Sequence, residues 1–207
     1  LYAVISNFFS RNNTKLLCCV VGMGYLFINK NLFTRLYKNL FFMFLRSCIN
    51  RNVFFIFQNK DDLSIFQKKR ILVKNIPIII QGSGVLSKKF TEGKQKKIYD
   101  LIFHSRIIKD KGIFEIIDAL KILRNKNINL KALILGDPDD KNRSSITLNQ
   151  LDLWVKENLI IWKSKVKNVI PFLQKSKISI LPSYREGLPK GLLEAASCKL
   201  PLISTDV

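Results

Sequence analysis

Short apolar runs alternate along the chain with longer segments whose apolar positions recur every three or four residues, the signature of strands alternating with amphipathic helices. Leu17-Leu-Cys-Cys-Val-Val21, Asn52-Val-Phe-Phe-Ile-Phe57 and Pro77-Ile-Ile-Ile80 read as strands. Between them, residues 31–49 mix apolar and basic side chains at helical spacing, and residues 61–69 predict a short helix opened by acidic residues. Residues 87–97, with five lysines and a glycine, read as a linker. The pattern then restarts, with strands predicted at 99–103, 130–135, 178–181 and 202–204. Helices are predicted at 112–124, 147–157 and 189–199, the last opening on Pro189, where a first helical turn accepts proline. Strands separated by helices mean βαβ units, an α/β fold of parallel sheets flanked by helices, and ligands at the carboxyl ends of the strands.

The 207 residues are 47% apolar and 11% aromatic, enough for a core and too apolar for general disorder. Their 35 Lys+Arg against 15 Asp+Glu give a formal charge of +20, which points to anionic partners: nucleic acid, acidic lipid or phosphorylated small molecules. Residues 1–97 carry 17 basic and 3 acidic side chains and residues 98–207 carry 18 and 12, so two regions with different surfaces are expected. The chain opens on Leu1 rather than Met and stops at Val207 just after the strand-like Pro201-Leu-Ile-Ser-Thr205, so a piece of a longer protein is expected.

No stretch reaches the ~18–20 continuous apolar residues of a membrane span. The longest uncharged run, Leu16 to Asn29, is interrupted by Gly22 and Gly24. The first charge arrives only at Arg11, which does not make a cleavable signal pattern. Cys18, Cys19, Cys48 and Cys198 show no C-x-x-C spacing and sit in apolar surroundings; buried free thiols in a reducing, cytoplasmic compartment are expected.

Candidate chemistry concentrates in Leu181-Pro-Ser-Tyr-Arg-Glu-Gly-Leu-Pro-Lys-Gly-Leu-Leu-Glu-Ala-Ala196. Glu186 lies in the loop after a strand and Glu194 eight residues later, with Gly187, Pro189 and Gly191 between. A loop feeding a helix N-terminus offers free N–H groups to phosphate or sugar oxygens, and a carboxylate there can accept from two vicinal hydroxyls. Alternatively, Glu186 caps the helix and Glu194 lies on a solvated face. The second constellation is Ser105-Arg-Ile-Ile-Lys-Asp-Lys-Gly112, where Arg106 and Lys111 lie between a strand end and a helix start. Two such cations suit a diphosphate clamp, although a basic loop in a basic protein reads the same way.

Taken together, Arg106…Lys111-Gly112, Leu133-Ile-Leu-Gly-Asp137, Glu186-x7-Glu194 and Pro201-Leu-Ile-Ser-Thr-Asp206 resemble the nucleotide-binding domain of family 4 (group 1) retaining glycosyltransferases, which have two Rossmann-like domains (GT-B). Further motifs look like the subgroup that extends lipid-linked oligosaccharides with N-acetylhexosamine-type sugars. These are Gly136-Asp-Pro-Asp139, Leu151-Asp-Leu-Trp154, Ile160-Ile-Trp162 and Pro182-Ser-Tyr-Arg-Glu-Gly-Leu-Pro-Lys190. In the front half, Gly22-Met-Gly-Tyr-Leu-Phe27, Phe57-Gln-Asn-Lys-Asp-Asp62 and Gly82-Ser-Gly-Val85 are similar to its inter-domain side.

The resemblance implies two incomplete Rossmann-like domains: an acceptor-side part over residues 1–90, a linker at 91–98, and a donor-nucleotide-binding domain over 99–207. It implies that Arg106 and Lys111 bind the donor diphosphate, Glu194 the ribose and Glu186 the transferred sugar, with Gly187, Leu188, Pro189, Lys190 and Gly191 around sugar and phosphate oxygens. No cofactor and no metal are expected; a nucleotide diphosphate sugar, UDP-linked, would be the co-substrate. The implied partners are this donor, a polyprenyl-diphosphate glycan acceptor and the anionic inner face of the cytoplasmic membrane, with retention of configuration and no nucleic acid.

Several positions depart from that pattern. The family often carries a histidine near the donor sugar in its N-terminal domain, whereas the one histidine here is His104, which reads as a core or strand-end imidazole rather than a catalytic one. Asp137-x-Asp139 imitates a metal-binding Asp-x-Asp, but its place after a Gly-ended strand favours a turn with helix capping. Cys198-Lys199 stands where a small residue and glycine commonly end the helix. Gly22-Met-Gly24 lacks the third glycine and the later acidic residue of a dinucleotide loop, so nicotinamide binding is rejected. The segment Leu32 to Arg46 reads either as an interfacial helix drawn to anionic lipid or as a core helix with solvated Arg35, Lys38 and Arg46. The rival from another class, a basic nucleic-acid-binding module, is disfavoured by scattered lysines and the lack of a recognised motif. A third reading is an inactive remnant that keeps only the fold.

Overall fold

The computed structural model describes residues 2–10, 14–21, 32–72 and 76–207. The Gly22–Phe27 motif lies outside the described residues. The chain divides into two compact units, residues 1–83 and 84–207.

In the first unit the strands β1 (Leu16–Val20), β2 (Val53–Phe57) and β3 (Ile78–Ile79) form a parallel sheet in the order β1-β2-β3. Helices α1 (Tyr2–Phe9), α2 (Leu32–Cys48) and α3 (Lys60–Lys68) contribute to a shared core with Val53, Phe55 and Phe57. Phe66 sits at its centre, edge-on to Phe57 with ring centroids 5.0 Å apart and to Phe42 at 5.6 Å. α3 starts where Asn59 Oδ1 accepts from Asp62 N at 2.7 Å, with Asp61 and Asp62 in its first turn, as the acidic opening predicted. Of the four thiols, Cys48 and Cys198 are buried, whereas Cys18 is half-buried and Cys19 exposed. The expectation of four buried thiols is corrected by the pleat of β1, which alternates half-covered with exposed positions.

The second unit holds a five-stranded parallel sheet in the order β6-β5-β4-β7-β8. Its strands are β4 (Tyr99–His104), β5 (Ala132–Leu135), β6 (Ile161–Lys163), β7 (Ser176–Leu181) and β8 (Leu202–Ser204). β4 and β5 are covered on both faces, so they read as continuous apolar runs. Leu101, Phe103, Ala132 and Ile134 face α4 (Ile113–Asn125) and α5 (Leu148–Lys156), which insert Ile113, Ile116, Ile117, Leu120, Leu151 and Trp154. Ile102 and Leu133 face the other way, toward Leu173 of α6 (Ile170–Gln174) and Ala195 of α7 (Lys190–Ser197). Apolar positions at 113, 116, 117 and 120 make the single stripe that α4 needs. α5 is capped by Thr147, whose hydroxyl accepts from Gln150 N at 3.2 Å.

The unit boundary falls between Ser83 and Gly84, so residues 84–98, including the lysine-rich stretch read as a linker, belong to the second unit. Phe90 packs against the core beside α6 and α7, Ser197 Oγ donates to Phe90 O at 2.7 Å, and Gln174 Nε2 donates to Thr91 O at 2.9 Å. A single aromatic and these bonds outweigh the solvation preference of the surrounding lysines.

Chain order sets the position of the site. From β4 the sheet grows through β5 to β6 on one side and then through β7 to β8 on the other. The direction reverses between β4 and β7, the switch point at which open α/β sheets leave a crevice at the carboxyl ends of their strands.

Candidate functional site

The loops leaving β4 and β7 meet at this switch point. After β4 comes a 3-10 turn over Lys109–Lys111, then Gly112, whose φ of 78° opens α4. A Cβ at Gly112 would stand 2.1 Å from Pro182 O, so the β7 loop lies directly against it. The two loops are laced together: Tyr184 N donates to Asp110 O at 2.9 Å, Ser183 Oγ donates to the same carbonyl at 2.9 Å, and the Tyr184 hydroxyl donates to Glu115. That lacing brings Lys111 and Glu186, 75 residues apart, into a half-buried ion pair through Lys111 Nζ and Glu186 Oε1.

Glu186 therefore does not cap α7; no side-chain cap bond closes that helix, whose N-cap is Pro189. Nor is Glu194 on a solvated face: its side chain is 15% exposed, and burial raises its pKa, opposed by Lys190 and Lys89. Lys190, exposed at the start of α7, holds its Nζ 3.8 Å from Glu194 Oε1.

Six of the nine candidate residues line one or other of two cavities. The larger, about 620 Å³, opens at the ends of β4, β5 and β6 and is lined by His104, Arg106, Asp137, Asp139, Lys165 and Glu194, among others. Its volume is that of a small-molecule site. The smaller, about 320 Å³, lies between the start of α7 and β8 and is lined by Glu186, Gly187, Leu188 and Pro189 together with Leu202 and Thr205. Lys111, Lys190 and Gly191 line neither, so the two cations Arg106 and Lys111 do not share a cavity; Gly191 packs on His104, and a Cβ there would stand 3.0 Å from His104 Nε2.

Arg106 is 59% exposed and donates from Nη1 to Asp139 Oδ2 at 2.7 Å. Asp139 is held in turn by its own N–H, which donates to Ser145 Oγ at 2.9 Å, while Asp137 Oδ1 accepts from Lys165 N at 3.2 Å. The Asp-x-Asp thus makes a turn but caps no helix, because Thr147 supplies the cap of α5; the expectation of helix capping is corrected on that ground. Among the described residues no group of three His, Cys, Asp or Glu side chains is placed to hold a metal ion.

Four contributors escape sequence reasoning. Lys165 and Lys167 line the larger cavity because they follow β6, a three-residue strand too short to read from its pattern. Asp139 serves as the counter-ion of Arg106. His104 ends β4 and is buried, as a core or strand-end imidazole should be, but it also lines the cavity.

A two-unit α/β chain of parallel sheets, with paired cations and carboxylates at a switch point, has the architecture of the GT-B glycosyltransferases. The chain belongs to the family of group 1 glycosyl transferases, whose sequence profile matches residues 86–207. It is 34% identical over 102 residues to the capsular polysaccharide biosynthesis glycosyltransferase CapM of Staphylococcus aureus, covering 49% of this chain and 26% of that one. It is 25% identical over 166 residues to the N,N'-diacetylbacillosaminyl-diphospho-undecaprenol alpha-1,3-N-acetylgalactosaminyltransferase of Campylobacter jejuni, covering 73% of this chain and 42% of that one. The chain thus spans well under half the length of these relatives. In fold it is similar to Anabaena Alr3699/HepE, solved in complex with UDP, at a TM-score of 0.73 and 14% identity, over 99% of this chain and 56% of that one.

Proposed function

We propose that the protein to which this chain belongs transfers a sugar of N-acetylhexosamine type from a nucleotide diphosphate donor, with retention, to a polyprenyl-diphosphate-linked glycan during surface polysaccharide synthesis. The observation that carries this reading is the cavity that Arg106 and Glu194 line at the carboxyl ends of β4, β5 and β6, with the Lys111–Glu186 pair on the loops that leave β4 and β7, within a group 1 family member. The names of the relatives support the acceptor class: one makes capsular polysaccharide and the other acts on a diphospho-undecaprenol.

In this reading the larger cavity receives the nucleotide. Glu194 binds the ribose, its carboxylate accepting hydrogen bonds from hydroxyl donors. Arg106 and Lys111 face the diphosphate and stabilise the charge that grows on it as the glycosidic bond breaks, in place of a divalent metal. Glu186 leaves Lys111 to hold the hydroxyls of the transferred sugar, and the free N–H groups at Lys190 and Gly191 take up phosphate or sugar oxygens.

The acceptor side draws on α2, which turns Phe33, Leu36, Tyr37, Leu40 and Met43 outward at helical spacing while burying Phe42, Leu45 and Cys48. Phe33 is 88% exposed, and the exposed Arg35 and Arg46 share the helix with no acidic residue. Such a face suits an anionic bilayer carrying the acceptor, and no helix among the described residues is long and apolar enough to cross a membrane. Sedimentation with vesicles rich in anionic lipid, lost on Leu36→Asp with Leu40→Asp, is the expected outcome; binding unchanged by that pair would remove α2 from the account.

Transfer from a labelled donor to a lipid-linked acceptor by the full-length protein tests the reading. Glu186→Ala and Glu194→Ala should each reduce transfer by about 100-fold, the scale of losing one group that binds the reacting sugar or its leaving group. Near-normal transfer in both variants contradicts it.

A further inference from the structure

We infer that His104 is a ligand-binding residue of this site, sharing with Glu194 the recognition of neighbouring hydroxyls on the bound nucleotide. This rests on the nucleotide reading above and adds a residue that the family pattern does not supply. The side chain of His104 is 9% exposed at the carboxyl end of β4, and its Nε2 is buried with no hydrogen-bond partner among the described residues. Buried polar groups in folded proteins are nearly always paired, so an orphan of this kind calls for a partner that binds later. The same imidazole lines the 620 Å³ cavity, together with Arg106 and Glu194.

Geometry identifies the partner. His104 Nε2 stands 3.8 Å from Glu194 Oε2, too far for a direct hydrogen bond. Burial holds the imidazole neutral by lowering its pKa to about 4, with the Gly191 backbone opposing, so the contact is not an ion pair at neutral pH. A neutral imidazole beside a carboxylate presents one N–H donor and several acceptor lone pairs at that spacing. A hydroxyl, which donates and accepts, satisfies both, and a vicinal diol places one hydroxyl on each. Gly191 keeps the space open, since a side chain there would press on Nε2 at 3.0 Å.

The test measures equilibrium binding of UDP, GDP and ADP to the chain, followed by the 2′-deoxy and 3′-deoxy forms of the tightest. His104→Leu removes the ring nitrogens and relieves the unpaired polar atom, so its unfolding midpoint should equal or exceed that of the wild type. Its affinity for the ribonucleotide should fall about 3- to 10-fold, the scale of one neutral hydrogen bond. The wild type should lose a similar factor with one deoxy form, and His104→Leu should bind that form and the ribonucleotide alike. His104→Gln, with a donor near the position of Nε2, should recover part of the loss. Wild-type affinity in His104→Leu, or an equal loss for ribo and both deoxy forms, overturns the inference. If Glu194→Ala alone abolishes ribose discrimination, His104 has no share in it. If the wild type binds none of the three nucleotides, the nucleotide reading falls, and this inference with it.

Discussion

Replacing Gly112 with alanine isolates the contact that holds the two site loops together. Gly112 has φ of 78°, and a Cβ there would meet Pro182 O at 2.1 Å and Pro182 C at 2.7 Å, both backbone atoms. Gly84 is its natural control: φ is 70°, and a Cβ would meet nothing within 4 Å. Each alanine incurs the left-handed backbone strain, about 1–2 kcal/mol. Only Gly112→Ala must also push the 182–186 loop away from α4, and forced displacement in a packed interior costs about 1–3 kcal/mol more. The expected destabilisation is therefore about 2–5 kcal/mol for Gly112→Ala and about 1–2 kcal/mol for Gly84→Ala. Urea unfolding followed by tryptophan fluorescence reads this directly, because both tryptophans, Trp154 and Trp162, belong to the second unit. Equal losses in the two variants would refute the argument that Gly112 serves close approach rather than conformation alone.

Three further outcomes follow from the same geometry. Asp139→Asn frees Arg106 from its counter-charge; an exposed pair of this kind is worth about 0–1 kcal/mol, so nucleotide diphosphate binding should tighten by up to about 5-fold at low salt and the gain should shrink at high salt, whereas weaker binding would make Asp139 a positioning residue. The folded pKa of His104, about 4, lies below its ordinary 6.5, so its contribution is intact above pH 6.5 and is lost as pH falls toward 4, where the unfolded chain takes up a proton that the folded one refuses. Between pH 7 and 4.5 the wild type should lose about 2–3 kcal/mol more than His104→Leu, and parallel pH dependences would contradict the burial of a neutral ring. Lys199 holds φ of 59° just past the end of α7, so Lys199→Gly should raise the unfolding midpoint despite losing the exposed contact to Glu92; a lowered midpoint would show that contact to matter more than the backbone.

The fold was legible where burial is two-sided or periodic. β4 and β5 are apolar runs because both faces are covered, and α4 repeats its core positions every three to four residues. What escaped was short or non-local. β6 spans three residues, of which Ile161 and Lys163 are exposed, so it has no alternation to detect, and α6 is a five-residue helix. α1 starts without an acidic first turn and ends without a basic last turn. In the site, Arg106, Lys111, Glu186 and Glu194 stood out through spacing and resemblance, while the bond between Lys111 and Glu186 arises only from the strand order. His104 carried no local signal, since nothing near it in the chain distinguishes a satisfied imidazole from an orphaned one; Gly191 and Glu194, which frame it, come from a helix almost ninety residues later. The departure at Cys198-Lys199 was visible as a missing glycine, and the structure resolves it by placing Lys199 in the left-handed region.

The central claim is that the cavity at the ends of β4, β5 and β6 is where a nucleotide diphosphate binds. Photolabelling the chain with a UDP analogue that carries a reactive group on its base, followed by peptide mapping, tests it most directly. Label should enter residues 135–139, 165–167 or 169, which line that cavity, and excess unlabelled UDP should suppress it. Label confined to residues 1–83, or incorporation that UDP does not suppress, would contradict the account.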